Sequence, residues 1–128
     1  MKSIIFSLLL VSSISGIGFS QSIESQICEF ASREYPNDSR MQQYVYNNQI
    51  SAYRYILTVK DVDIEQIANR EYPDDYVMQK YTYDNQVTAK RYISVVTDRE
   101  VKQIALREYP GDYSMQMYKY NRVMNSRY

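Results

Sequence analysis

This 128-residue chain has no histidine and no tryptophan, one cysteine, three glycines and three prolines. Each shortage removes a class of chemistry. Without histidine, and with Cys28 alone, zinc ligand sets and histidine-activated nucleophiles lack their parts. Three scattered glycines make no phosphate-cradling loop. A single cysteine forms no intramolecular disulfide, so the fold must be held together by packing. An excess of charge is missing too, since 15 basic side chains meet 15 acidic ones. Nothing is left over to displace the counterions of nucleic acid or of an anionic membrane. From this inventory we expect no enzyme, no cofactor, no metal site and no nucleic-acid partner.

Long apolar runs are scarce as well. The one candidate, Ile4 to Val11, is interrupted by Ser7 and falls short of the ~20 residues that a membrane span needs. Preceded by Met1-Lys2-Ser3 and followed by the small, turn-prone stretch Ser12 to Ser20, it reads as a secretory signal peptide. Gly18 and Ser20 suit the cleavage positions. Residues 1–20 would be removed, leaving residues 21–128 as one domain that is secreted or periplasmic, with no stable membrane insertion. Cys28 is open to an intermolecular disulfide there, with a partly shielded free thiol as the simpler state.

What the chain does have is repetition. Arg33-Glu34-Tyr35-Pro36-x-Asp38 returns at Arg70 and again at Arg107, 37 residues apart each time. Met41-Gln42, Met78-Gln79 and Met115-Gln116 follow in phase, then Tyr44/Tyr46, Tyr81/Tyr83 and Tyr118/Tyr120. A fixed period of this length marks stacked supersecondary units, which usually present surfaces rather than perform chemistry.

Each unit reads as two helices. The first, from about Glu24, Val62 and Arg99, sets Ile27/Ile64/Val101, Phe30/Ile67/Ile104 and Ala31/Ala68/Ala105 along one helical face. Pro36, Pro73 and Pro110 disfavour the helical region at the tyrosines before them, so the chain turns. Asp38, Asp75 and Asp112 suit the start of a second, longer helix, and Thr97 with Glu100 suits a capping box. In the first copy Met41, Tyr44, Asn48, Ala52 and Tyr55 fall on one side of that helix, with Tyr46, Ile50, Tyr53 and Leu57 opposite. A helix apolar on two faces must be sandwiched, so the 15 tyrosines are expected as packing material, Tyr81 in the core among them. The expected fold is all-α: three tandem helical hairpins, at about 24–60, 61–97 and 98–128, stacked as a short α-solenoid.

In architecture alone this is similar to tetratricopeptide and Sel1-like arrays, whose tryptophan and glycine-alanine patterns are absent. The string Arg-Glu-Tyr-Pro-x-Asp-Tyr-x-Met-Gln-x-Tyr, complete from Arg70 to Tyr81 and from Arg107 to Tyr118, resembles an element of uncharacterised bacterial secreted proteins. The first copy departs from it at Ser39. The resemblance implies no activity.

The repeated Asp and Glu residues are expected as helix caps and ion-pair partners, and Arg33, Arg70 and Arg107 as salt bridges across the proline turns. Gln42 with Gln49, echoed by Gln79 and Gln86, makes a polar row for hydrogen bonds between helices or for a ligand groove. In the third copy the final turns align best with one residue dropped, and the last helix has no successor to cover it. Tyr120, Val123 and Met124 are therefore expected to form an interaction surface for a protein partner or a second copy. The expected function is a protein-protein interaction module of the cell envelope. The alternative is an envelope polysaccharide binder using exposed Tyr, Gln and Arg, and burial of Tyr46, Tyr83 and Tyr120 would remove that sugar platform.

Overall fold

A computed structural model describes residues 21–128. The expected leader, residues 1–20, lies outside the described residues. The protein is all-α, with six helices and no strand among the described residues: α1 (Ile23–Glu34), α2 (Ser39–Ile56), α3 (Val62–Glu71), α4 (Tyr76–Val95), α5 (Arg99–Glu108) and α6 (Tyr113–Ser126).

Every helix starts at a side chain that accepts its free amides. Ser22 takes the amide of Ser25, and Asp38 takes those of Arg40 and Met41. Asp61, Asp75, Asp98 and Asp112 take those of Ile64, Met78, Val101 and Met115. At α5 the cap is Asp98 rather than the expected Thr97, its carboxylate reaching the Val101 amide at 3.0 Å. A carboxylate brings a full negative charge to the positive end of the helix, where a hydroxyl brings only a dipole.

The first helices of all three pairs end alike. The amides of Tyr35, Tyr72 and Tyr109 close the last helical bonds to Ala31, Ala68 and Ala105 at 3.0, 3.0 and 3.1 Å. The prolines then forbid further helix, and the aspartate amides fold back onto the tyrosine carbonyls, each at 3.3 Å. Those carbonyls are also held by side chains. Gln42, Gln79 and Gln116 donate to them from Nε2 at 2.6, 2.7 and 2.8 Å, fastening the first turn of the second helix to the end of the first. In the third turn Gly111 stands where the others have Asn37 and Asp74. Its φ of 79° is the positive value that a type II turn needs after proline.

Within each pair, α1 packs on α2, α3 on α4 and α5 on α6, while α2, α4 and α6 lie side by side. Ile27, Ala31, Ile64, Ala68, Val101 and Ala105 are the buried face of the first helices, as their spacing predicts. Fully burying a side chain such as Ile64 contributes about 1.5–3 kcal/mol. On the second helices Ala52 and Ala89 are buried, and Ile56 in α2 and Ile93 in α4 pack into the core of the following pair.

The two junctions are chemically the same, 37 residues apart. Gln49 of α2 donates to the Asp75 carboxylate at 2.7 Å and accepts from the Tyr76 amide at 2.7 Å. Gln86 of α4 donates to Asp112 at 3.0 Å and accepts from the Ser114 amide at 3.2 Å, the counterpart of a second Gln49 bond, from the Val77 amide at 3.3 Å. Tyr55 donates to Asp84 and Tyr92 to Asn121, both at 2.5 Å. The Tyr55–Tyr83 and Tyr92–Tyr120 rings meet edge to face at 6.5 and 6.2 Å. Lys90 binds Asp61 at 2.6 Å and Arg127 binds Asp98 at 3.0 Å, again 37 residues apart. That last pair corrects the expected one-residue slip: the phase is kept through Arg127.

Tyr81 is also corrected. It is 61 % exposed, as is Tyr44, and Tyr118 is 54 % exposed. The buried tyrosines of the second helices are instead Tyr83 and Tyr120. Position 81 lies on the strip between the two packed faces.

Candidate functional site

Tyr120, Val123 and Met124 do not form the open face expected of them. Tyr120 is 5 % exposed and belongs to a core with Ile93, Val101 and Ala105, its hydroxyl oxygen accepting the Asp98 amide at 3.3 Å. Val123 and Met124 are half-buried against the same core. The α6 positions equivalent to the α4 junction residues Thr82, Gln86 and Ala89 are Lys119, Val123 and Ser126, two of the three polar. Lys119 is occupied with Glu108 at 2.9 Å.

The first pair shows the mirror image. Tyr76 and Tyr113 touch the preceding helix, Tyr76 through the Tyr53 ring at 5.0 Å and Tyr113 under the Lys90 ammonium at 5.2 Å. Their counterpart is Ser39, which no helix covers among the described residues. Gln43 and Asn47, counterparts of Lys80 and Asp84, are exposed and hydrogen-bonded to each other at 3.0 Å. Cys28 is exposed on the same side, in a hollow of about 420 Å³ with Ser32 and Tyr46.

The other candidates divide between structure and surface. Gln79 and Gln116 are buried and Gln42 is half-buried, all three holding proline turns, whereas Gln49 and Gln86, bonded across the junctions, also line the grooves between the second helices, and Gln42 lines the hollow beside Cys28. Arg33, Arg70 and Arg107 are exposed, and among the described residues none forms an ion pair, contrary to the expected salt bridges. Each instead places its charge on the last turn of a first helix, the negative end. Among the described residues no cluster of three or more metal-ligating side chains occurs, and no helix is long and apolar enough to cross a membrane.

One repeated surface remains. Between α2 and α4 a groove of about 240 Å³ is lined by Tyr35, Glu34, Asn48, Val77 and Met78. Between α4 and α6 a groove of about 280 Å³ is lined by Tyr72, Glu71, Asn85, Ser114 and Met115, with Tyr81 on its wall. The linings correspond at the 37-residue spacing except that Phe30 belongs to the first alone and Tyr81 to the second alone. Both include carboxylates, and neither includes a basic side chain. Asp75 and Asp112 are engaged as caps, whereas Glu34 and Glu71 are exposed and form no ion pair among the described residues.

Polar chemistry at the junctions is held firmly. Its hydrogen bond to Asp84, then burial, pushes the Tyr55 phenol up to about 12. Burial works to raise the Asp84 carboxyl, but bonds from Tyr55 and Lys80 outweigh it and hold the group below the usual carboxylate range. The Lys90 hydrogen bond likewise holds Asp61 low, and Asp61 in turn holds the Lys90 ammonium high. Asp84 and Asp61 are thereby held in ion pairs with Lys80 and Lys90.

Compared with protein-family models, curated proteins and solved structures, the chain matches none.

Proposed function

We propose that this is an exported helical-repeat protein, three 37-residue hairpins stacked as a short α-solenoid, which works as a protein-protein interaction module in the cell envelope. Two observations support the stacking. The Gln49 and Gln86 junctions repeat the same contacts, and polar residues occupy the outer positions, Ser39 and Gln43 on one side and Lys119 and Ser126 on the other. Terminal units of solenoids carry such polar faces. Deleting Glu65 to Val101, one whole period, should leave a helical but less stable protein. Loss of helical circular dichroism on that deletion would contradict the arrangement.

The observation that carries the interaction reading is the row Tyr44, Tyr81 and Tyr118, each more than half exposed on successive second helices. Exposed rings repeated at one spacing are a contact surface, and tyrosine supplies large area with few rotamers to freeze. The same row also favours the second reading, a polysaccharide binder, although the platform first expected, Tyr46, Tyr83 and Tyr120, is half-buried at Tyr46 and buried at the other two. The grooves beside the row favour protein, because their carboxylates repel anionic envelope polysaccharides. Affinity capture from envelope extract is expected to retain a protein that survives glycosidase treatment and is lost with the Tyr44→Ser/Tyr81→Ser/Tyr118→Ser variant. Retention of polysaccharide alone would reverse the assignment.

A further inference from the structure

Resting on the interaction-module reading, we propose that the partner element is a basic, proline-rich segment in the polyproline II conformation, lying across α2, α4 and α6 on the Tyr44, Tyr81 and Tyr118 row. Three features of the surface select it.

The first is spacing. Helices packed side by side sit ~8–10 Å apart, and the tyrosines occur once per helix. A polyproline II segment advances ~9.3 Å per turn of three residues, so it shows the same side chain to each successive helix. A β-strand covers a similar ~10 Å in three residues but turns its opposite face at every odd step, so it cannot keep register with identical grooves.

The second is chemistry. Proline rings pack on exposed aromatic rings, and the polyproline II backbone leaves its carbonyls without internal partners. The two grooves supply amide donors at equivalent positions, Asn48 and Asn85, both exposed beside the tyrosine row. Met78 and Met115 form adaptable apolar walls.

The third is charge. Glu34 and Glu71 carry unpaired carboxylates one in each groove, so an occupant with Lys or Arg at the matching interval is attracted. The pattern stops at the third unit. Glu108 is taken by Lys119, and Arg122 stands where Asn48 and Asn85 would recur. The surface thus has two acidic grooves, the second with its tyrosine, Tyr81, on the wall, which corresponds to a segment of two polyproline turns with a basic residue on each.

The test is fluorescence polarisation with the protein and a labelled nine-residue probe peptide having proline at every third position and two lysines. Its companions are a peptide of the same composition with the prolines clustered at one end, a peptide with glutamates for lysines, and a neutral oligosaccharide. Saturable binding of the registered peptide alone is expected. Tyr81→Ala should weaken it by up to about tenfold, the upper end of what one aromatic contact contributes. Glu71→Gln should weaken it about two- to fivefold and flatten the salt dependence, as for an exposed ion pair. Arg91→Ala, outside both groove linings, should leave it unchanged. Thermal midpoints of the variants serve as the folding control, because all three residues are exposed. Equal binding of the clustered peptide, or no binding of either, overturns the polyproline assignment. In those cases the module reading survives if the triple tyrosine variant still loses a captured envelope protein. Binding of the oligosaccharide in place of the peptides overturns both.

Discussion

The two inner junctions and the two outer faces of this molecule are built at the same repeat positions with different residues. Inside, Tyr76 and Tyr113 meet the preceding helix, and Gln49 and Gln86 cap the following one. Outside, the same positions hold Ser39 and Val123, neither of which can do that work. The lesson is that departures from a repeat are as informative as its agreements. A position that changes only in one copy is one whose partner belongs to a neighbouring copy.

The comparison breaks hardest where a junction ring is removed. Tyr83→Ala should cost about 3–5 kcal/mol, as for other large-to-small aromatic core changes, read as a fall in the urea midpoint. Tyr46→Ala, at the half-buried equivalent in the first unit, should cost clearly less. Equal losses would mean that the first unit is covered as fully as the second.

Gln86→Ala comes next. It strips two partners from the start of α6, and at about 1–1.5 kcal/mol per buried hydrogen bond the loss should reach roughly 2–3 kcal/mol. Gln43→Ala, on the outer face, should stay within about 0.5 kcal/mol in the same measurement.

Changing pH sharpens the contrast further. Asp61 and Asp84 have lowered folded values, so their contributions are complete above the unfolded carboxylate range near pH 4 and are lost as pH falls below it. For Tyr55 the folded value is raised to about 12, so its contribution is complete below the unfolded value near 10 and disappears as pH rises between the two. A tyrosinate absorbance titration should show a late component from Tyr55 that Tyr55→Phe loses, while Tyr76, raised by burial, stays late in both, and the alkaline stability loss of the variant should be shallower. A parent without the late component would remove the Tyr55–Asp84 bond from the account.

The smallest effect is expected at Tyr81→Ala, within about 0.5 kcal/mol, because the ring is mostly in water. That variant separates binding from stability and makes the partner experiments interpretable.

The helices, their turns and most of their starts were legible because local rules write them. A 3.6-residue apolar period, a proline after the last turn and an aspartate before the next helix act within a few residues of one another. The choice between Thr97 and Asp98 was decided by charge, a difference that a capping pattern does not rank. The tyrosines were harder. Tyrosine is at home both in a core and at a wet surface, so two rows two residues apart, 81 and 83, could not be told apart until the packing angle of α4 was known. Gln49 and Gln86 were visible as polar residues on a buried face, but their partners lie 26 to 28 residues downstream. The replacement by Val123 was the signal that could have identified them. The open face assigned to Tyr120 failed because two neighbours, α4 and α5, already fill that side of α6.

The Gln49 and Gln86 junctions also give the chain a direction. Each donor sits on a helix that precedes the helix it caps, so the group that receives a new helix start has already been synthesised when that start arrives. Chains emerge amino end first, and units completed early can fold early. Each junction is completed only when the following hairpin arrives to meet it: order is handed forward, one hairpin at a time.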